Sequence, residues 1–153
     1  MAIAVADPLH RLVRRYRIPP SVPRVTAGDA RIRLGAHGED IACGHLERAG
    51  YTLIERNGRC GRTGEIDIVA RDGRCLVFCE VKTRVAGGSA GPDGPLDAIG
   101  PLKRKRIRKL AAEWLRTRPK LSPAPAWIRF DAVGIVVDRR GRLLSLDHVE
   151  DAF

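Results

Sequence analysis

Residues 64–84 (GEIDIVARDGRCLVFCEVKTR) constrain the fold more than any other stretch of this chain. Apolar-rich, alternating runs flank Asp72-Gly73. Asp-Gly between such runs is one of the strongest short signals for a β-hairpin. With Asp72-Gly73 as a two-residue loop, Arg71 pairs with Arg74. Asp67 then faces Phe78, and Glu65 faces Glu80. Side chains two apart share one face of a strand. Glu65, Asp67, Glu80 and Lys82 therefore project from one side of the hairpin. Asp67 and Glu80 become diagonal neighbours, roughly 7–8 Å apart.

Such a face is costly without a counter-charge. Like charges opposite one another destabilise a sheet, and half-buried carboxylates lose hydration. A divalent cation offsets both, and hard oxygen donors suit Mg²⁺ or Mn²⁺. The ion can activate a water and stabilise charge on a phosphate. Lys82 can position that water or neutralise the charge that develops. The plainer alternative is a solvated hairpin face on which Lys82 simply offsets Glu80.

The remaining segments suggest an α/β domain of order α-β-β-β-α-β-β over residues 29–153. Leu34, Ile41, Ala42, Leu46 and Ala49 recur at helical spacing over 30–49, with Gly50 placed to end the helix. Tyr51 to Glu55 reads as a strand, and Asn57-Gly58 with Gly61 as a turn. After the hairpin, 86–95 (AGGSAGPDGP) reads as a flexible loop and 96–99 as one helical turn. Pro101 opens a second helix, inward on Ile107, Leu110, Ala111, Trp114 and Leu115. Residues 127–137 and 143–149 read as the last strands. Residues 1–28 stand apart as a flexible basic arm, broken by Pro8, Pro19, Pro20 and Pro23, with a short basic helix over 10–17. No apolar run approaches the ~20 residues of a membrane span.

The net charge of +10 is concentrated rather than spread. Residues 1–33 carry a net +5 and residues 101–120 a net +8, around a slightly acidic centre. Clustered positive charge is the footprint of a polyanion binder, though a solvated basic face has the same composition. Lys103, Arg104, Lys105, Arg108 and Lys109 are the candidates for phosphate contacts, which position nucleic acid without reading its sequence. Lys103 is the odd one, because it sits one turn before Ile107 on the inward stripe.

The pair 64–70 (GEIDIVA) and 76–84 (LVFCEVKTR) resembles the YraN family of bacterial proteins, a branch of the restriction-endonuclease-like, or PD-(D/E)XK, superfamily. Gly38-Glu39 with Ala42, Gly50-Tyr51, Asn57, Lys103 with Ile107 and Ala111, Arg129-Phe130-Asp131, His148 and Ala152-Phe153 follow in the family's order. The resemblance covers about residues 31–153. It departs at Cys79, where valine is commoner, and at Gly58, where an aromatic residue is common. It implies a restriction-endonuclease-like mixed β-sheet flanked by helices. It also implies that Asp67, Glu80 and Glu39 hold Mg²⁺ or Mn²⁺ and that Lys82 assists the nucleophilic water. Glu65 takes no ligand role in that scheme and stands behind the ligands. The implied reaction is hydrolysis of a phosphodiester in DNA, or in RNA, by an endonuclease acting on branched, flapped or damaged substrates.

Cys43, Cys60, Cys75 and Cys79 form no CxxC pair and read as reduced thiols of a cytoplasmic protein. His148 reads as structural before it reads as a site residue, and Trp114 and Trp127 as core. A competing function needs no catalysis: a nucleic-acid-binding subunit of a DNA processing, repair or uptake complex, working through a protein partner. A C2 homodimer would let one protomer cut each strand, but nothing in the sequence demands it.

Overall fold

The structure is a computed structural model that describes residues 4–5, 13–16, 30–62, 64–87, 96, 99–118 and 121–153. Two short strands come first, β1 (Ala4–Val5) and β2 (Val13–Tyr16). From Ala30 onward the elements follow the expected order. They are α1 (Ala30–Arg48), β3 (Thr52–Cys60), β4 (Gly64–Asp72), β5 (Cys75–Val85), α2 (Pro101–Thr117), β6 (Trp127–Val137) and β7 (Leu143–Val149). The sheet runs β2-β7-β6-β5-β4-β3, with β1 alongside β6. β5 and β6 are parallel, because α2 carries the chain back between them, and the consecutive pairs β3–β4, β4–β5 and β6–β7 are antiparallel.

One helix covers each face. α1 sets Ala42, Cys43 and Leu46 against Ile68, Ala70, Val77 and Cys79. α2 sets Ile107, Leu110, Ala111 and Trp114 against Val69, Leu76, Phe78 and Phe130. A strand buried on both faces must be apolar throughout, which accounts for the unbroken run Cys75–Cys79. Phe78 lies between Trp114 and Phe130, with ring centroids 5.6 and 5.8 Å away. α1 ends as expected at Gly50, whose φ of +93° suits a residue without a Cβ. Gly38 brings α1 close to β5: a Cβ there would meet Thr83 Oγ1 at 1.7 Å.

Several expectations are corrected. The hairpin turn is Gly73-Arg74, not Asp72-Gly73, and Asp72 pairs with Cys75. Gly73 takes the first central position with φ +55°, where a II′ turn needs glycine. The register therefore moves: Val69, not Asp67, faces Phe78, and Glu65 is paired with Arg59 of β3 rather than set opposite Glu80. Asn57-Gly58 is not a turn. β3 runs through it, with Asn57 at φ +49°, a conformation asparagine tolerates. The chain turns instead at Gly61, φ +58°. The helix expected over 10–17 is replaced in part by β2, which pairs Val13 with Val149 and Tyr16 with Leu146. Between flanking prolines the segment is too short for a stable helix, and the edge of β7 offers a ladder. Apart from β1 and β2, residues 1–28 lie outside the described residues, as do residues 88–95 of the expected loop. At the two ends of the expected turn, the Ile99 N–H donates to the Leu96 carbonyl at 3.0 Å, and residues 97–98 lie outside the described residues.

Candidate active site

The site lies where the central hairpin opens. β4 and β5 pair from Asp72–Cys75 as far as Ile68–Cys79. Beyond that point β4 stays with β3, and β5 with β6. The next residue on each parting strand is acidic: Asp67 on β4 and Glu80 on β5. Asp67 Oδ2 accepts a 2.7 Å hydrogen bond from the Val81 N–H, so a carboxylate stands in for a ladder carbonyl. Glu80 is buried, 7% exposed, and is ion-paired with the Lys103 ammonium from α2.

Burial, and then the neighbouring Glu80 charge, push the Asp67 carboxyl up to about 7. Glu39 adds to the rise, while the Val81 N–H and Lys103 pull against it. Asp67 is therefore buried beside Glu80 with its charge only partly offset. Oxygen donors in that condition fit a hard divalent cation.

The hollow above the pair has a volume of about 390 Å³. Arg59, Arg62, Lys103 and Arg106 line it along with Glu65, Asp67 and Glu80. Among the described residues, its lining includes neither Glu39 nor Lys82. Glu39 is held on α1, where its Oε2 accepts from Asn57 Nδ2 at 2.9 Å. Its charge still reaches Asp67. Lys82 is half-buried on β5 in register with Gly134. Among the described residues, no three His, Cys, Asp or Glu side chains converge as a metal-holding group. The structure thus joins Asp67, Glu80 and Lys103 and keeps Glu39 at electrostatic range.

A family model described as "Uncharacterised protein family UPF0102" matches residues 38–135, from the start of the Glu39 motif into β6. The chain belongs to the UPF0102 family. That family is the one the sequence resembles under the name YraN. A UPF0102 protein of Streptomyces griseus is 53% identical over 113 residues, covering 74% of this chain and 90% of its own. One from Streptomyces coelicolor is 48% identical, covering 74% and 83%. One from Geobacter metallireducens is 44% identical, covering 78% and 91%. Among solved structures, Pyrococcus furiosus SfsA in complex with Ca²⁺ matches with a TM-score of 0.30 at 16% identity, over 76% of this chain and 62% of that one.

In this UPF0102 protein the cations of α2 part into two sets. Lys105, Arg106 and Lys109 line a second hollow of about 620 Å³ beside the first. Arg104 and Arg108 turn the other way. Arg104 donates to the Ile99 carbonyl at 3.0 Å and lies over Phe153, while Arg108 lies over Phe130. The phosphate candidates on α2 therefore fall on two faces, and Lys103 stands with the carboxylates. Arg59, Arg62 and Arg106 add to the residues that the sequence singles out: nothing local marks a cation near a strand end, in a turn or on a helix as lining a hollow formed by distant parts of the chain.

His148 proves structural. It is fully buried on the α1 side, with Nε2 3.0 Å from Asp131 Oδ2 and Nδ1 3.2 Å from His45 Nε2. Arg129 donates to both Asp131 oxygens, at 2.8 and 3.0 Å, and to the Tyr51 hydroxyl. This network ties the C-terminus and α1 to the middle of the sheet. The four cysteines are buried and unbridged, as expected. Among the described residues no helix is long and apolar enough to cross a membrane.

Proposed function

We propose that this protein is a divalent-metal-dependent nuclease that hydrolyses phosphodiester bonds in nucleic acid, with DNA as the expected substrate. The observation that carries the reading is the pair Asp67 and Glu80, exposed to each other where β4 and β5 part, under a hollow walled by arginine and lysine. Asp67 and Glu80 would hold Mg²⁺ or Mn²⁺, with Glu39, outside the hollow, joining the acidic set through water. Such an ion supplies an activated water and charge stabilisation at a phosphate. The chain's own groups do the rest. The Val81 N–H orients the Asp67 carboxylate. Lys103 balances Glu80 and draws an incoming phosphate toward it. Lys82, two residues past Glu80 on β5 and outside the lining of the hollow, would have to extend into it to position the attacking water. Arg59, Arg62 and Arg106 offset the phosphate charge that two carboxylates would otherwise repel.

One observation favours a second reading, a nucleic-acid-binding subunit without cleavage. The Lys103 ammonium already neutralises Glu80, which is the role a metal would take. Labelled single-stranded, duplex, flapped and branched DNAs, incubated with Mn²⁺, Mg²⁺ or EDTA, separate the two. Metal-dependent cleavage that disappears in Glu80→Ala supports the nuclease. Binding that survives Glu80→Ala, with no cleavage under either metal, supports the subunit.

A further inference from the structure

We infer that the groove between the β3–β4 turn and the outer stripe of α2 seats one single strand of nucleic acid, gripped by its phosphodiester backbone as it runs away from Asp67 and Glu80. The direction of the strand rests on the nuclease reading; the binding itself does not. Two hollows, of about 390 and 620 Å³, share Gly61, Arg62 and Arg106 as walls, so they lie side by side as the inner and outer parts of the inferred groove. The inner part brings Arg59 and Lys103 and the outer part Lys105 and Lys109. Apart from Asp67 and Glu80, the carboxylates on it are Glu65 in the inner part and Glu113 in the outer, and Glu113 is tied to Arg116 at 2.7 Å.

The spacing of the outer cations suits a strand. Lys105 and Lys109 are four residues apart on one helix, a rise of about 6 Å, close to the step between neighbouring phosphates of an extended strand. Arg62 lies across the groove from them on the turn. The turn is built to come this near. Gly61 and Gly64 both have positive φ, and a Cβ at Gly64 would meet the Arg106 guanidinium at 2.8 Å. Glycine there leaves room for the Arg106 guanidinium beside the turn.

The lining also indicates what is read. Among the described residues the groove has no aromatic wall on which a base could stack. Leu102, 86% exposed, is the apolar side chain on its outer part. Recognition is then by charge, without base preference, and should depend steeply on salt. The groove's volume takes a few nucleotides of one strand. A duplex could reach it only by laying one backbone across the mouth.

Fluorescence anisotropy in EDTA tests this without cleavage. Labelled oligo-dT, oligo-rU and a duplex of equal length are titrated from about 50 to 200 mM salt. A single strand should bind more tightly than the duplex, the tighter of dT and rU naming the sugar. Its log Kd against log salt should flatten by about 0.7 for each of Arg62→Ala and Arg106→Ala. Arg62→Lys should keep the wild-type slope, which separates lost charge from a damaged turn. Arg108→Ala, on the far side of α2, should leave the slope unchanged. Tighter binding of the duplex, or a slope indifferent to Arg62 and Arg106, overturns the inference. Binding as expected in a protein that never cleaves sinks the nuclease reading and leaves the groove standing.

Discussion

Asp67→Asn should stabilise the metal-free protein at pH 8. Burial and Glu80 raise the Asp67 carboxyl from 3.8 to about 7. A folded-state pKa above the unfolded value means that folding takes up a proton. The stability from the protonated form is fully present below about pH 4 and is lost as pH rises through about 7. A tenfold change in proton affinity is worth about 1.4 kcal/mol, so the ionised group costs on the order of 4 kcal/mol at pH 8. This is a ceiling, since water entering the hollow shares the load. Asparagine keeps an oxygen for the Val81 N–H and drops the charge. In a domain of this size each kcal/mol moves Tm by roughly 2–4 °C, so the variant should melt about 5–15 °C higher. The assay is thermal unfolding by circular dichroism in EDTA, from about pH 4 to pH 9. The two proteins should melt together at the acid end, and the gap should open across the middle of the range. Adding Mn²⁺ should narrow it, because the ion stabilises the wild type by mass action and binds a neutral amide less well. A variant less stable than wild type at pH 8 in EDTA, or a gap that ignores pH, would refute the reasoning.

Four further outcomes follow from other contacts. Gly38→Ala should cost about 1–3 kcal/mol in urea unfolding, because its Cβ falls on Thr83 Oγ1, and Thr83→Ala should recover part of the loss. His148→Ala should cost about 2–4 kcal/mol by exposing the buried Asp131–His45 network, with oligonucleotide binding retained by the folded fraction. Glu55 accepts from Arg118 and from Trp114 Nε1, and Arg118 holds its carboxyl below the usual range. Glu55→Gln should therefore weaken the protein at neutral pH, and the deficit should close as pH falls through the depressed value, followed by denaturant melts at several pH values. Lys103→Met should bind Mn²⁺ more tightly in calorimetric titration, by roughly tenfold for each ~1.4 kcal/mol of competing ion pair removed at Glu80.

Much of the fold was legible because it rests on local signals. The periodic apolar positions of α1 and α2, Gly50 as a stop, Pro101 as a start and the alternating hairpin strands all follow from neighbours in the chain. The turns were less legible. Asp72-Gly73 and Asn57-Gly58 read alike as turns, yet the chain needs one register at Gly73-Arg74 and a kinked but continuous strand at Asn57. Both hairpin registers put the same side chains on the same faces, so alternation does not choose between them; the one found sets Val69 opposite Phe78, packed with Trp114 of a helix far along the chain.

Local periodicity was enough to place the carboxylates on their strands and to mark the helix that faces them. A period of two places side chains on a face, and a period of 3.6 places them on a stripe, whatever the rest of the chain does. Long-range packing set the rest: β4 and β5 part at Asp67 and Glu80, Lys103 turns in while Arg104 and Arg108 turn away, and Arg62 and Arg106 line the same hollow. These depend on how the α2 crossover packs on the sheet, and packing is a property of elements brought together from distant parts of the chain.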